Sequence, residues 1–225
     1  MKNWKNLKRK NDLRKDTRQN LNAEKFLFKD KLMNNFAVKI FKYRSYTPLP
    51  FVLLMLIFED ACITSLLIGF TILILGEFFR LWGVCYAGSE TRTTDGVGGT
   101  YLVVSGAFAY VRNPLYLGNM LMYLGVGIMS MALFPYLHIA ALLFFFWQYT
   151  VIIKEEEGFL KTKFGKNYED YLMVVPKLIP SLIKYRNPGI EQPPLNLKAG
   201  LRSERRTMQA ILAISFLVII RFVLS

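Results

Sequence analysis

The chain has 225 residues, 53% of them hydrophobic and 15% aromatic, with positive mean hydropathy and a formal net charge of +13. The basic excess is not organised as a positive face with stacking aromatics, so nucleic acid is not expected as a partner and anionic lipid headgroups are the simpler counterpart. Cys62 and Cys85 show no pairing or metal-ligand spacing, and with His138 the single histidine, free thiols and no metal site are expected.

In chain order, Met1 to Arg44 is rich in Lys, Arg and Asn and lacks the apolar core of a signal peptide, so residues 1–45 read as a basic cytoplasmic segment lying along anionic headgroups. Leu49 to Phe58 is a short apolar stretch that Glu59 and Asp60 end; it is either half of a tight helical hairpin or a re-entrant piece. Cys62 to Gly76, continuing through Phe78 and Phe79, is long enough to span a bilayer as a helix. So are Leu115 to Phe134, which carries no charge, and Pro135 to Ile153, where His138 and Gln148 are the strongly polar side chains. Met208 to Ile220, with Phe222, Val223 and Leu224, makes the last candidate.

The expected fold is therefore an all-α, multi-pass membrane protein with about five transmembrane helices, the first short. Residues 46–186 form its core, 187–207 a linker broken by Asn187-Pro188-Gly189 and Pro193-Pro194, and 208–225 a terminal helix. Charge placement gives the orientation. Of 29 basic residues, 14 precede Tyr46, three (Arg80, Arg92, Arg112) fall between the second and third spans, and 11 lie from Lys154 to Arg206, which leaves Arg221. Because Lys and Arg gather on the cytoplasmic side, the N-terminus belongs in the cytoplasm and the C-terminus on the opposite side.

Two polar stretches on the cytoplasmic side carry everything that could do chemistry. Glu77 to Asn113 includes Gly96-Val97-Gly98-Gly99, which lacks the Lys-Ser/Thr of a phosphate loop and reads as a tight connection. It leads into Tyr110-Val111-Arg112-Asn113-Pro114-Leu115-Tyr116-Leu117-Gly118-Asn119, where a cation and an amide stand at the mouth of an apolar helix. Such groups either snorkel as anchors or face a ligand. The second stretch opens with Glu155-Glu156-Glu157 at the end of the fourth span. These carboxylates either form a solvated helix end or meet Arg112 at the same depth, and the kinked Val174 to Pro180 that follows could cover such a site.

Ser105-Gly106-Ala107-Phe108-Ala109-Tyr110-Val111-Arg112-Asn113-Pro114-Leu115-Tyr116-Leu117-Gly118, taken with Glu156-Glu157-xx-Leu160-xxx-Phe164-Gly165-xx-Tyr168-xx-Tyr171-xxxx-Pro176, resembles the integral membrane methyltransferases. That family includes the isoprenylcysteine carboxyl methyltransferases and the phospholipid N-methyltransferases. The resemblance runs from about Gly76 to Pro180, beginning with Glu77-xx-Arg80-xx-Gly83. It implies that S-adenosylmethionine binds in a cytoplasmic segment after the fourth helix and that a lipophilic acceptor enters from the bilayer. By the same resemblance Tyr110, Asn113, Pro114, Tyr116, Gly118, Glu156 and Glu157 fall in the cofactor region, with Arg112, Glu156 and Glu157 the catalytic candidates. The familiar form has histidine where this chain has Asn113, and an asparagine offers a donor and an acceptor but cannot shuttle a proton.

Methyl transfer from a sulfonium is an in-line displacement, so alignment and exclusion of water are the main demands. A carboxylate acceptor would want Arg112 as its orienting cation. An amine acceptor would want a proton acceptor such as Glu156, Glu157 or Tyr116. Two other readings share the same helices: an NADPH-dependent membrane sterol or lipid reductase, which should need an arginine cluster for the 2′-phosphate, and a non-catalytic lipid-binding protein.

Overall fold

A computed structural model of the chain describes residue 36, residues 39–88 and residues 101–224. The glycine-rich connection around Gly96-Val97-Gly98-Gly99, Arg92 and most of the basic N-terminal segment lie outside the described residues. The chain divides into two units, residues 1–41 and 42–225. In the first, the described residues are helical.

In the second unit every regular element among the described residues is helical: α1 (Leu49–Ile57), α2 (Ile63–Ala87), a short 3₁₀ turn (Gly106–Ala109), α3 (Pro114–Ser130), α4 (Tyr136–Phe164), α5 (Lys166–Val174) and α6 (Leu197–Leu224). The all-helical membrane architecture expected from the sequence is present. Three helices, α2, α4 and α6, are long and apolar enough to cross a membrane. With nine residues α1 is about 14 Å long and cannot span alone.

Local chemistry sets the helix ends. At the start of α2, Cys62 and Ser65 form a capping box: the Ser65 N–H donates to Cys62 Sγ at 3.4 Å and the Cys62 N–H to Ser65 Oγ at 3.0 Å. Pro114 opens α3 at the one place where a helix does not miss the N–H. That helix ends at Ser130, short of Phe134, because Met131 and Leu133 take positive φ values of 51° and 45°. Asn196 Oδ1 accepts the Ala199 N–H at 2.9 Å and so caps α6, which begins at Leu197, inside the stretch read as linker and well before Met208.

The packing explains the glycines. Gly69, Gly76 and Gly83 recur every seventh residue along α2; the first two face Gly125 and Gly118 of α3, and the third faces Pro114 and Leu115. A Cβ at Gly118 would stand 2.5 Å from the Gly76 carbonyl oxygen, and one at Gly69 would stand 2.5 Å from that of Gly125. The two helices thus run antiparallel with their backbones in contact, as small residues allow where lipid gives no hydrophobic drive. Around this pair, Met55, Leu73, Met122, Val126, Met129, Leu137, Ile211 and Val218 join α1, α2, α3, α4 and α6 in one apolar core.

A second, smaller core of Leu102, Val104, Tyr168, Tyr171 and Val175 lies at the other end, beside the start of α3. With 29 residues α4 is about 43 Å long, against about 30 Å of hydrocarbon. Counted from Tyr136, its surplus begins close to Glu155, and this length carries Glu156 and Glu157 to the interface.

Candidate active site at the membrane interface

The start of α3 and the end of α4 meet there. Arg112 Nη1 lies 3.3 Å from Glu157 Oε1, both side chains being mostly buried. One turn into α3, the Tyr116 hydroxyl donates to Glu156 Oε1 at 2.7 Å. Adjacent glutamates on a helix point about 100° apart, so one α4 end serves two partners on one α3 start. Arg44, ahead of α1, also acts electrostatically on Glu156 and Tyr116.

The floor of the site is aromatic and polar. The Tyr116 ring stacks on Tyr149 of α4 with centroids 4.7 Å apart. Tyr149 lies beside Asn119 and Tyr123, and Asn119 Oδ1 accepts from Arg80 Nη1. Arg80 in turn holds both carboxylate oxygens of Glu204 of α6, with Nη2 to Oε1 at 3.0 Å and Nε to Oε2 at 3.2 Å. Glu204 is 0% exposed, so this is a charge pair deep between α2 and α6, with Glu77 3.9 Å from Arg80 Nε on the same side.

The roof is the chain after α5. Pro176 O accepts the Arg112 N–H at 2.9 Å, Asn113 Nδ2 donates to Lys177 O at 3.1 Å, and the Ser181 N–H donates to Tyr110 O at 2.8 Å. Tyr171 donates its hydroxyl to Phe108 O at 2.8 Å. Burial pushes the Tyr168 and Tyr171 hydroxyls well above the usual tyrosine range, with the Glu157 charge adding to the rise and Arg112 opposing it. Both phenols stay neutral donors at any physiological pH.

The structure therefore brings Arg112, Tyr116, Glu156 and Glu157 together. Tyr110 borders them, its ring 5.7 Å from that of Trp82 and its carbonyl bound to the roof. The Asn113 amide is spent on the roof rather than on capping α3. Pro114 and Gly118 instead face α2, against Gly83 and against Gly76 with Arg80. Sequence reasoning missed Arg44, Tyr149 and Glu204 and gave Asn119, at the end of the motif stretch, no role. One of these carried a signal of its own, Glu204, since it is the lone acid within the collar Arg202, Arg205 and Arg206.

Two features fit a cationic, carboxylate-bearing small molecule. Arg112 Nε is buried without a hydrogen-bond partner, a donor still unspent. The Tyr116–Tyr149 stack beside two carboxylates suits a sulfonium or a flat ring. No group of three His, Cys, Asp or Glu side chains among the described residues could hold a metal ion.

Fold and site together define an all-helical integral membrane protein with an arginine–carboxylate–tyrosine site where its helices reach the interface. Within that class, residues 64–167, from α2 to the start of α5, match the phospholipid methyltransferase family, which bears out the resemblance drawn from the two motifs. The chain is also 33% identical over 109 residues to the cobalt-zinc-cadmium resistance protein CzcN of Cupriavidus metallidurans. That similarity covers 48% of this chain, which spans less than half (45%) of the relative's length. No solved structure matches the chain.

Proposed function

We propose that the protein is an S-adenosylmethionine-dependent methyltransferase acting on a lipophilic acceptor at the cytoplasmic membrane interface. The observation that carries this reading is the meeting of two distant motif pieces: Arg112 with Glu157, and Tyr116 with Glu156. Residues that hold the cofactor in this reading are Glu156, Glu157, Tyr116 and Tyr149, with the unspent Arg112 donor facing a carboxylate of cofactor or acceptor. When bound, the cofactor supplies a methyl group on a positively charged sulfur, ready for displacement.

The chain's own residues then bind, orient and exclude water. The glutamates complement positive charge, and the tyrosine stack gives a flat apolar wall. The roof of residues 175–186 covers the Arg112 end. A carboxylate acceptor is oriented by Arg112, whereas an amine acceptor gives up its proton to Glu156 or Glu157, assisted by Tyr116. With its amide spent on Lys177 O, Asn113 acts through the roof and not as a proton carrier. In this reading the N-terminus and site are cytoplasmic, the basic N-terminal segment faces anionic headgroups, and α6 ends on the opposite side.

Calorimetry on the detergent-purified chain tests the reading, with S-adenosylhomocysteine as the probe and NADPH as the control. Saturable binding of the first alone is the expected result. Binding of NADPH instead would turn the assignment to a reductase, against which weighs the commitment of Arg80 to Glu204. Binding of neither would leave a lipid-binding protein of the same fold. Given a binding signal, Arg112→Ala, Glu156→Gln and Glu157→Gln are each expected to lower methyl transfer about 10- to 100-fold, the worth of one charge-assisted hydrogen bond. Full activity in all three would remove these residues from the site.

A further inference from the structure

The strap of residues 175–186, which follows α5, commits its backbone and Val175 to the protein but turns Ile179, Leu182 and Ile183 outward. Besides the bonds from Arg112, Asn113 and Ser181, the Tyr185 N–H donates to Ala109 O at 2.9 Å, and the Tyr185 ring packs on Tyr171 at 5.3 Å. Yet Leu182 is 100% exposed, Ile179 80% and Ile183 79%, with Met173 and Val174 of the adjoining helix end exposed as well. Single exposed aliphatics are ordinary, but a run of this kind marks an interaction surface. From Met173 to Arg186 the chain holds Lys177, Lys184 and Arg186 and no acidic residue.

We propose that this strap is an interfacial anchor that inserts Ile179, Leu182 and Ile183 into the leaflet at the site's end of the bundle and sets Lys184 and Arg186 on anionic headgroups. Depth supports a bilayer as occupant: the strap is bonded to residues 109–113, immediately before α3 enters the apolar core, where hydrocarbon gives way to headgroups. Composition supports it too. Protein interfaces centre on aromatic and arginine anchors, whereas the outward side chains here are aliphatic and the strap's aromatic, Tyr185, is turned onto Tyr171. An apolar face with a basic border is the pattern of segments that lie in the interface. Because the same strap bonds to the Arg112 and Asn113 backbone and amide, its insertion fixes the depth of that end of the site.

The test places a photoreactive benzophenone amino acid at Leu182 or Ile183 of the full chain, in nanodiscs of mixed phosphatidylcholine and phosphatidylglycerol. Exposed Leu212 on α6 serves as the lipid-facing reference and exposed Glu191 as the solvent reference. All four side chains are outside the cores, so substitution leaves the fold intact. Lipid adducts at 182 and 183 are expected to match those at 212 and to exceed those at 191 by about tenfold, as for a segment seated below the headgroups. Yields no higher than at 191 would overturn the proposal, as would cross-linked chain dimers in place of lipid adducts, which would make a second copy the occupant. Charge reversal by Lys184→Glu with Arg186→Glu should lower the yield at 182 several-fold in the anionic discs. An unchanged yield would overturn the headgroup contact. None of these readouts depends on methyl transfer, so this proposal and the enzymatic one fail separately.

Discussion

Tyr116 joins both halves of the candidate site, since its hydroxyl holds Glu156 while its ring rests on Tyr149. Tyr116→Phe keeps the stack and removes a hydroxyl donor from a carboxylate lodged beside apolar helices. The expected loss is about 1.5 to 3 kcal/mol of transition-state stabilisation, or about 10- to 100-fold in turnover, with the melting temperature little changed. Turnover and thermal unfolding of the same preparation check this, and a collapse of both together would make Tyr116 a packing residue. At this scale the legible residues were those inside contiguous motifs: Arg112, Tyr116, Glu156 and Glu157. Asn119 and Tyr149 were not legible because their significance arises across helices: an amide one turn beyond Tyr116 meets a tyrosine two turns before Glu156. Nothing along the chain marks that coincidence. Gly118, by contrast, was legible as a motif position but is given a packing role by the close approach of Gly76.

Between elements, two devices hold the bundle, and each can be broken selectively. The seam of α2 against α3 has no room for side chains, so Gly76→Val must push the Gly118 carbonyl and Met122 aside, the added Cβ otherwise lying 2.7 and 2.8 Å away. Overpacking of this kind costs about 1 to 3 kcal/mol. A fall in the melting temperature in detergent is expected, with Gly158→Val, where a Cβ meets nothing, as the unaffected control. The second device is the buried Arg80–Glu204 pair that ties α6 to α2. Glu204→Ala takes the nearest carboxylate from a buried guanidinium and is expected to destabilise by about 3 to 5 kcal/mol, whereas Arg80→Met with Glu204→Leu should recover part of the loss, since the pair leaves together while Glu77 and Asn119 lose Arg80. Melting curves of the single and double variants decide it; a double variant no better than the single would mean the pair does more than neutralise itself. Helix existence and type were readable from the apolar runs, but the early start of α6 was not. Its first turns carry the exposed Arg202, Arg205 and Arg206, and the Asn196 cap, the seat of Gly200 on Cys85 and the contact of Glu204 with Arg80 show why so charged a segment is helical against the bundle.

Across the whole molecule, the basic residues divide between the two ends of the bundle in a way the contacts echo. Arg44, Arg80, Arg112 and the strap gather at the site's end, whereas Arg221 stands 4.0 Å from Glu59 at the far end of α2. In the proposed topology, drawn from the positive-inside rule, the turn before α2 lies outside the cytoplasm, and the chain carries its own reporter of that orientation. Cys62 is exposed at this turn, and Cys85 is buried near the opposite end of the same helix, against Gly200. Hydrogen bonds from the Ser65 backbone and side chain hold the Cys62 thiol below its usual range, so its thiolate fraction at neutral pH exceeds that of an ordinary thiol. Because the thiolate is the reacting form, modification should quicken as pH rises and level off below the pH at which a free cysteine does. A membrane-impermeant maleimide added to intact cells is expected to modify Cys62 and spare Cys85. Modification that requires permeabilised cells would invert the topology, moving Arg112, Glu156 and Glu157 to the outer face and with them any claim on a cytoplasmic cofactor.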